Sequence, residues 1–132
     1  MRQEAKRWLH QAQADLEAAE DSLEDGHYEW SCFQAQQSAE KSLKAYLYNL
    51  GYTSLMSHSI KMLVKEAIHK QKGFAQCEEA SRALDNYYIP TRYPNGLDQD
   101  KAPAEYYDVE DAKTCLKYAT LILNTVKKYI KD

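Results

Sequence analysis

The chain has 132 residues, 44% hydrophobic and 28% charged, with four glycines, three prolines and eleven tyrosines. That is the size of one domain with one core, able to bury roughly 65–70% of the surface of its unfolded form, and so few breakers suit long helices. A formal net charge of −3 excludes a global positive field that would draw the protein onto nucleic acid or an anionic membrane, so RNA is not indicated by charge and any phosphate binding has to be local.

From Arg2 to about Glu24, Ala5, Trp8, Leu9, Ala12, Leu16, Ala19 and Leu23 recur at steps of three and four, which predicts an amphipathic helix. Gly26 supplies the left-handed position that commonly ends a helix. Tyr28 to Leu50 then resumes the period through Phe33, Ala39, Leu43, Tyr46 and Leu47 until Gly51, and the short connection predicts antiparallel neighbours. Ile60, Leu63, Val64, Ala67 and Ile68 make a third, shorter stripe, with Ser57 as the expected N-cap and Gly73 as the stop; Phe74 to about Tyr87 adds a further helical segment. Between Tyr88 and Tyr107 the period fails, and Pro90, Pro94, Pro103 and Asn95-Gly96 exclude a continuous helix. A loop of this length in a small domain tends to be functional or disordered, and its flanking tyrosines favour packing over disorder. The last helix starts after Asp108 and runs through Val109, Ala112, Leu116, Ala119, Leu123, Val126 and Ile130, with acids in its first turn and Lys127 and Lys128 in its last. The expected fold is therefore all-α: one domain over residues 1–132, an antiparallel up-down four-helix bundle with an extra short helical segment and a long Pro/Tyr loop before the last helix.

Cys32, Cys77 and Cys115 are widely spaced and form no CxxC, which speaks against a disulfide framework or a zinc knuckle. The charged first seven residues and the absence of any long apolar run argue against an export signal or a membrane span, so a cytoplasmic setting is expected. His10, His27, His58 and His69 offer no HExxH, and no Gly-rich phosphate loop or GxSxG is present; no metal and no cofactor are indicated.

Two stretches, Cys32-Phe33-Gln34-Ala35-Gln36-Gln37-Ser38-Ala39-Glu40-Lys41-Ser42-Leu43-Lys44-Ala45-Tyr46-Leu47 followed by Gly51 and His58, and Leu84-Asp85-Asn86-Tyr87-Tyr88-Ile89-Pro90-Thr91-Arg92-Tyr93-Pro94, resemble the HEPN family of helical "higher eukaryotes and prokaryotes nucleotide-binding" domains. The resemblance implies a helical bundle, frequent homodimers, and a gene often paired with a minimal nucleotidyltransferase as a toxin–antitoxin couple. Many relatives are RNases that use Arg-x4-6-His. Neither Arg82 nor Arg92 is followed by a histidine, and Arg2 or Arg7 with His10 has the wrong spacing, so the resemblance is to a branch without that RNase motif and no catalytic residue is assigned.

Lys41 and Lys44, on adjoining parts of one helix face, are candidate phosphate ligands, although Glu40 four residues before Lys44 would also make an ordinary solvated ion pair. Arg92, stiffened between Pro90 and Pro94, is a candidate for bidentate phosphate binding, or else pins its loop by pairing with Asp85, Glu40 or another acid. Tyr88 and Tyr93 could stack a base or simply pack the loop, and His58 could serve a ligand or open a helix. The Pro90–Pro94 segment is expected to fold against helix 2, within reach of Glu40, Lys41 and Lys44. The functional expectation is a non-catalytic, homodimeric protein binding a nucleotide or a nucleotidyltransferase-type partner. The alternatives are an RNase toxin built from other residues, and a purely structural dimerisation module.

Overall fold

Every regular element in the computed structural model, which describes residues 1–97 and 100–132, is helical. The elements are α1 (Gln3–Glu24), α2 (Tyr28–Asn49), α3 (Ile60–Lys70), a 3-10 segment (Lys72–Cys77) leading into α4 (Glu78–Asp85), a 3-10 turn (Pro94–Gly96), α5 (Pro103–Tyr106) and α6 (Val109–Tyr129). The expected Pro/Tyr loop is thus interrupted by two short helical pieces; its positions 98 and 99 lie outside the described residues.

Two glycines set the ends of the first pair. Gly26 at φ 80° and Gly51 at φ 101° each follow a helix in the left-handed region, and behind them His27 N–H donates to the Ser22 carbonyl and Tyr52 N–H to the Leu47 carbonyl. Both ends are closed in the way only a residue without Cβ accepts freely. Between them α1 and α2 approach closely because the seam is small: Ala5, Ala12 and Ala19 of α1 are fully buried, while the Ser31 and Ser38 hydroxyls of α2 donate to the Ala19 and Ala12 carbonyls at 2.7 Å.

Those contacts run in opposite order along the two helices, so α1 and α2 are antiparallel. α4 is likewise antiparallel to α6, with Tyr118 bonded to Glu79 and Tyr87 to Asp111. α3 and α6, by contrast, run in the direction of α2. His58 sits beside Gln36 and Glu40 while Lys70 lies near Asn49, and the Asn49 amide donates to the Lys131 carbonyl at 2.8 Å. For α3 the connection 50–59 makes this possible by carrying the chain back along the bundle to His58, and for α6 the antiparallel α4 does the same.

α2 is the central element and is buried along most of its length. Leu43, Leu47, Ile60, Phe74, Leu84 and Ile122 fill the core, with Phe74 between the rings of Tyr46 at 4.6 Å and Tyr129 at 5.5 Å. α6 begins as expected at Asp108, which forms a capping box with Asp111. α3 does not begin as expected. Its N-cap is Ser59, not Ser57, and Asp85 accepts from Ile60 N–H at 2.6 Å, Lys61 N–H at 3.1 Å and Ser59 Oγ at 3.0 Å. Nor does Gly73 stop α3, which ends at Lys70. Gly73 instead lets the backbone pass under Tyr129, whose Oη lies 2.1 Å from where a Cβ would stand.

Candidate functional site

The middle of α2, the segment leading into α3 and the segment after α4 meet in one cluster. Glu40, one turn before Lys44, takes its ammonium on Oε2 at 3.0 Å, and both side chains are only 4% exposed. The i,i+4 pair read from the sequence is therefore formed, but inside the protein instead of on a solvated face. The Lys44 ammonium also stands 5.5 Å from the centre of the Trp8 ring. His58 brings Nδ1 to 3.2 Å from the same Glu40 oxygen while its side chain stays 58% exposed. Gln36, fully buried, donates to the His58 carbonyl and fixes that backbone.

Tyr88 stacks on the His58 ring at 5.1 Å with 16° between planes. Arg92 lies over Tyr88 at 4.5 Å and also over Phe33 at 4.6 Å and Tyr93 at 5.2 Å, so its guanidinium is held among three aromatic rings. The turn carrying it is closed by the buried Thr91, whose hydroxyl donates to the Tyr87 carbonyl, and by Arg92 Nε–H donating to the Tyr88 carbonyl at 2.9 Å. Among the described residues Arg92 has no carboxylate partner and its Nη groups make no hydrogen bond. A cleft of about 330 Å³ lined by His58, Ser59, Asp85 and Tyr88 opens beside the stack.

The Pro90–Pro94 segment does fold against α2, but it lands on Phe33. Its link to Glu40 runs through Tyr88 and His58. Asp85 neither pairs with Arg92 nor stands free, because the α3 N-terminus uses both its oxygens. Lys41 leaves the cluster to pair with Asp15 of α1 at 2.6 Å, and Lys44 points inward, 3% exposed. Tyr93, 53% exposed, is the most open of the three rings around Arg92. Phe33, the platform under Arg92, was missed as a site residue; the period marks it as apolar but does not tell that it stays half-buried under a cation.

No helix among the described residues is long and apolar enough to cross a membrane, and among them no three His, Cys, Asp or Glu side chains are placed to hold a metal ion. Cys32, Cys77 and Cys115 are all buried free thiols.

The protein is thus a small helical domain whose central helix carries a buried ion pair beside an aromatic and arginine cluster. The HEPN domain family pattern matches residues 5–129, and the chain belongs to that family. Among solved structures it is similar to TT1696 from Thermus thermophilus, with a TM-score of 0.88 and 37% identity over 94% of this chain and 96% of that one. ST0689, described as an archaeal HEPN homologue, gives a TM-score of 0.81 with 37% identity over 99% of this chain and 100% of its own. A relative from Methanocaldococcus jannaschii, MJ1304, named as a proposed toxin, is 29% identical over 136 aligned positions, 97% of this chain and 89% of that protein.

Proposed function

We propose that the protein is a HEPN binding module of a toxin–antitoxin-like pair, and that its Arg92 face takes a nucleotide, free or presented by a nucleotidyltransferase partner. The observation that carries this reading is a guanidinium held by three rings and one backbone carbonyl, with no carboxylate beside it among the described residues. A cation fixed in this way has lost its rotamer freedom before a ligand arrives, and its forked donors fit two phosphate oxygens. Tyr93 then offers a face for the base and His58 a further polar group at the rim. The buried Lys44–Glu40 pair serves by positioning His58. The toxin role proposed for MJ1304 supports the biological setting.

The direct test is titration with AMP and ATP, followed through Trp30 in a Trp8→Phe background. Trp30 packs edge-on at 6.1 Å against Phe33, the ring under Arg92. Saturable change in its fluorescence is expected; a flat response with every nucleotide contradicts the reading.

One observation favours a second reading. Arg92 and His58 both lie against Tyr88, so an arginine and a histidine share a surface although the sequence motif is missing. Incubation with RNA in chelator decides: cleavage that disappears in His58→Ala and Arg92→Ala makes the chain an RNase, and intact RNA leaves it a binding module.

A further inference from the structure

The parallel course of α2, α3 and α6 has an electrostatic result at the far end of the bundle. Their C-termini converge, and a cleft of about 390 Å³ opens between them, lined by Tyr46, Asn49, Lys70, Lys128, Tyr129 and Lys131 together with Leu50 and Gln71. This volume lies within the roughly 300–1,000 Å³ of small-molecule sites. The lining contains three lysines and no carboxylate, and none of the three forms an ion pair among the described residues. Of the neighbouring acids, Glu66 accepts from the Tyr52 hydroxyl and Asp132 follows Lys131 in the chain. Arg2 adds a fourth cation at this end. Its backbone N–H donates to Asn49 Oδ1 at 2.9 Å and its guanidinium lies over Gly51.

Lysines at helix C-termini have an ordinary use, offsetting the partial negative charge of the last carbonyls. Three helix ends carry about −0.5 each and Asp132 a full negative charge, about −2.5 together, against which Lys70, Lys128, Lys131 and Arg2 leave a positive surplus of about 1.5. The three lysines line a cavity with built walls, the Lys128 ammonium standing over the Tyr129 ring at 5.3 Å and the Lys70 ammonium over the Tyr52 ring at 5.6 Å. Asn49 is fixed by its two hydrogen bonds, to Arg2 and Lys131. The Tyr129 ring is held against Phe74 on one side and over Gly73 on the other. Tyr46, 5% exposed, lines the cleft from the bundle side.

We infer that this cleft binds an oligophosphate, the tail of a nucleoside di- or triphosphate, at a site separate from Arg92. Phe33 and Asn49 are sixteen residues apart on α2, so the two sites are separated by about 24 Å along the helix axis. Lys70, Lys128 and Lys131 neutralise the phosphates, Asn49 and Tyr46 supply polar contacts, and the edge of Tyr129 lines the cleft where a ribose rests.

Calorimetric titration of the full chain with pyrophosphate, and separately with ATP, tests this. The expected result is saturable pyrophosphate binding that weakens about tenfold or more in Lys128→Gln/Lys131→Gln, the scale of losing charge-assisted contacts. The same binding should stand unchanged in Arg92→Ala, and ATP should bind this site at least as tightly as pyrophosphate. The lysine variant should keep the wild-type melting temperature and the Trp30 response to nucleotide, which separates a failure here from a failure of the Arg92 reading. No saturable pyrophosphate binding, or binding equal in the lysine variant, overturns the site. Pyrophosphate binding tenfold tighter than ATP overturns the assignment to a nucleoside-borne ligand.

Discussion

Replacing Lys44 by methionine removes the ammonium while keeping most of the stem that packs near Trp8. What remains is the Glu40 carboxylate, 4% exposed at its side chain, with only the half-exposed His58 ring at Oε2 and Oε1 already lacking a partner among the described residues. An exposed i,i+4 pair contributes only about 0.3–0.5 kcal/mol, whereas breaking a buried pair by deleting one partner costs about 3–5 kcal/mol because a charge is stranded. At about 2.1 cal/mol/K of unfolding entropy per residue, a chain of 132 residues changes by roughly 0.28 kcal/mol per degree, so Lys44→Met should lower the melting temperature by about 11–18 °C. Urea unfolding of Lys44→Met, Glu40→Gln and the double variant at neutral pH gives the cycle. The double variant should recover part of the loss, since its polar remnant carries no charge. A Lys44→Met protein within about 1 kcal/mol of wild type would refute the reasoning, because that is the behaviour of a solvated pair.

Gly73→Ala should destabilise the protein by about 1–3 kcal/mol in urea unfolding, because the new methyl group displaces the Tyr129 ring from Phe74; a neutral or stabilising result would show that the backbone there is not confined. Asp85→Ala strips the α3 N-terminus of three hydrogen bonds and should lower stability by about 1–2 kcal/mol, with nucleotide affinity unchanged if Asp85 is a cap and not a ligand. Trp30, Ile89 and Tyr93, 47, 52 and 53% exposed, leave apolar area around Arg92, and a homodimer at micromolar concentration is expected by sedimentation; monomer alone at those concentrations would contradict it.

The helix ends were legible where a single residue decides them. Gly26, Gly51 and Asp108 each act locally, through a left-handed dihedral or a side chain reaching its own first turn. Helix direction was legible for α1 and α2, joined by three residues, and not for α3 and α6, because a long connection before the one and the short α4 before the other return the chain. The same division holds at the site. The stiffness of the Arg92 segment follows from Pro90 and Pro94, but its seat on Phe33 depends on how that segment meets α2. The spacing of Glu40 and Lys44 gives their pairing and says nothing of burial, which comes from Trp8 on another helix. The partners Asp15 for Lys41 and the α3 N-terminus for Asp85 lie 26 and 24–26 residues away in the chain, beyond any local pattern.

The central claim is that Arg92 is a cation held ready for an anionic ligand, and one variant measured in two ways tests it. Arg92→Ala should weaken nucleotide binding by about 1.5–3 kcal/mol, about 10- to 150-fold in Kd, while the melting temperature stays close to that of the wild type. A variant that binds nucleotide as tightly as the wild type and melts several degrees lower would show instead that Arg92 only pins its loop to α2, and would contradict the account.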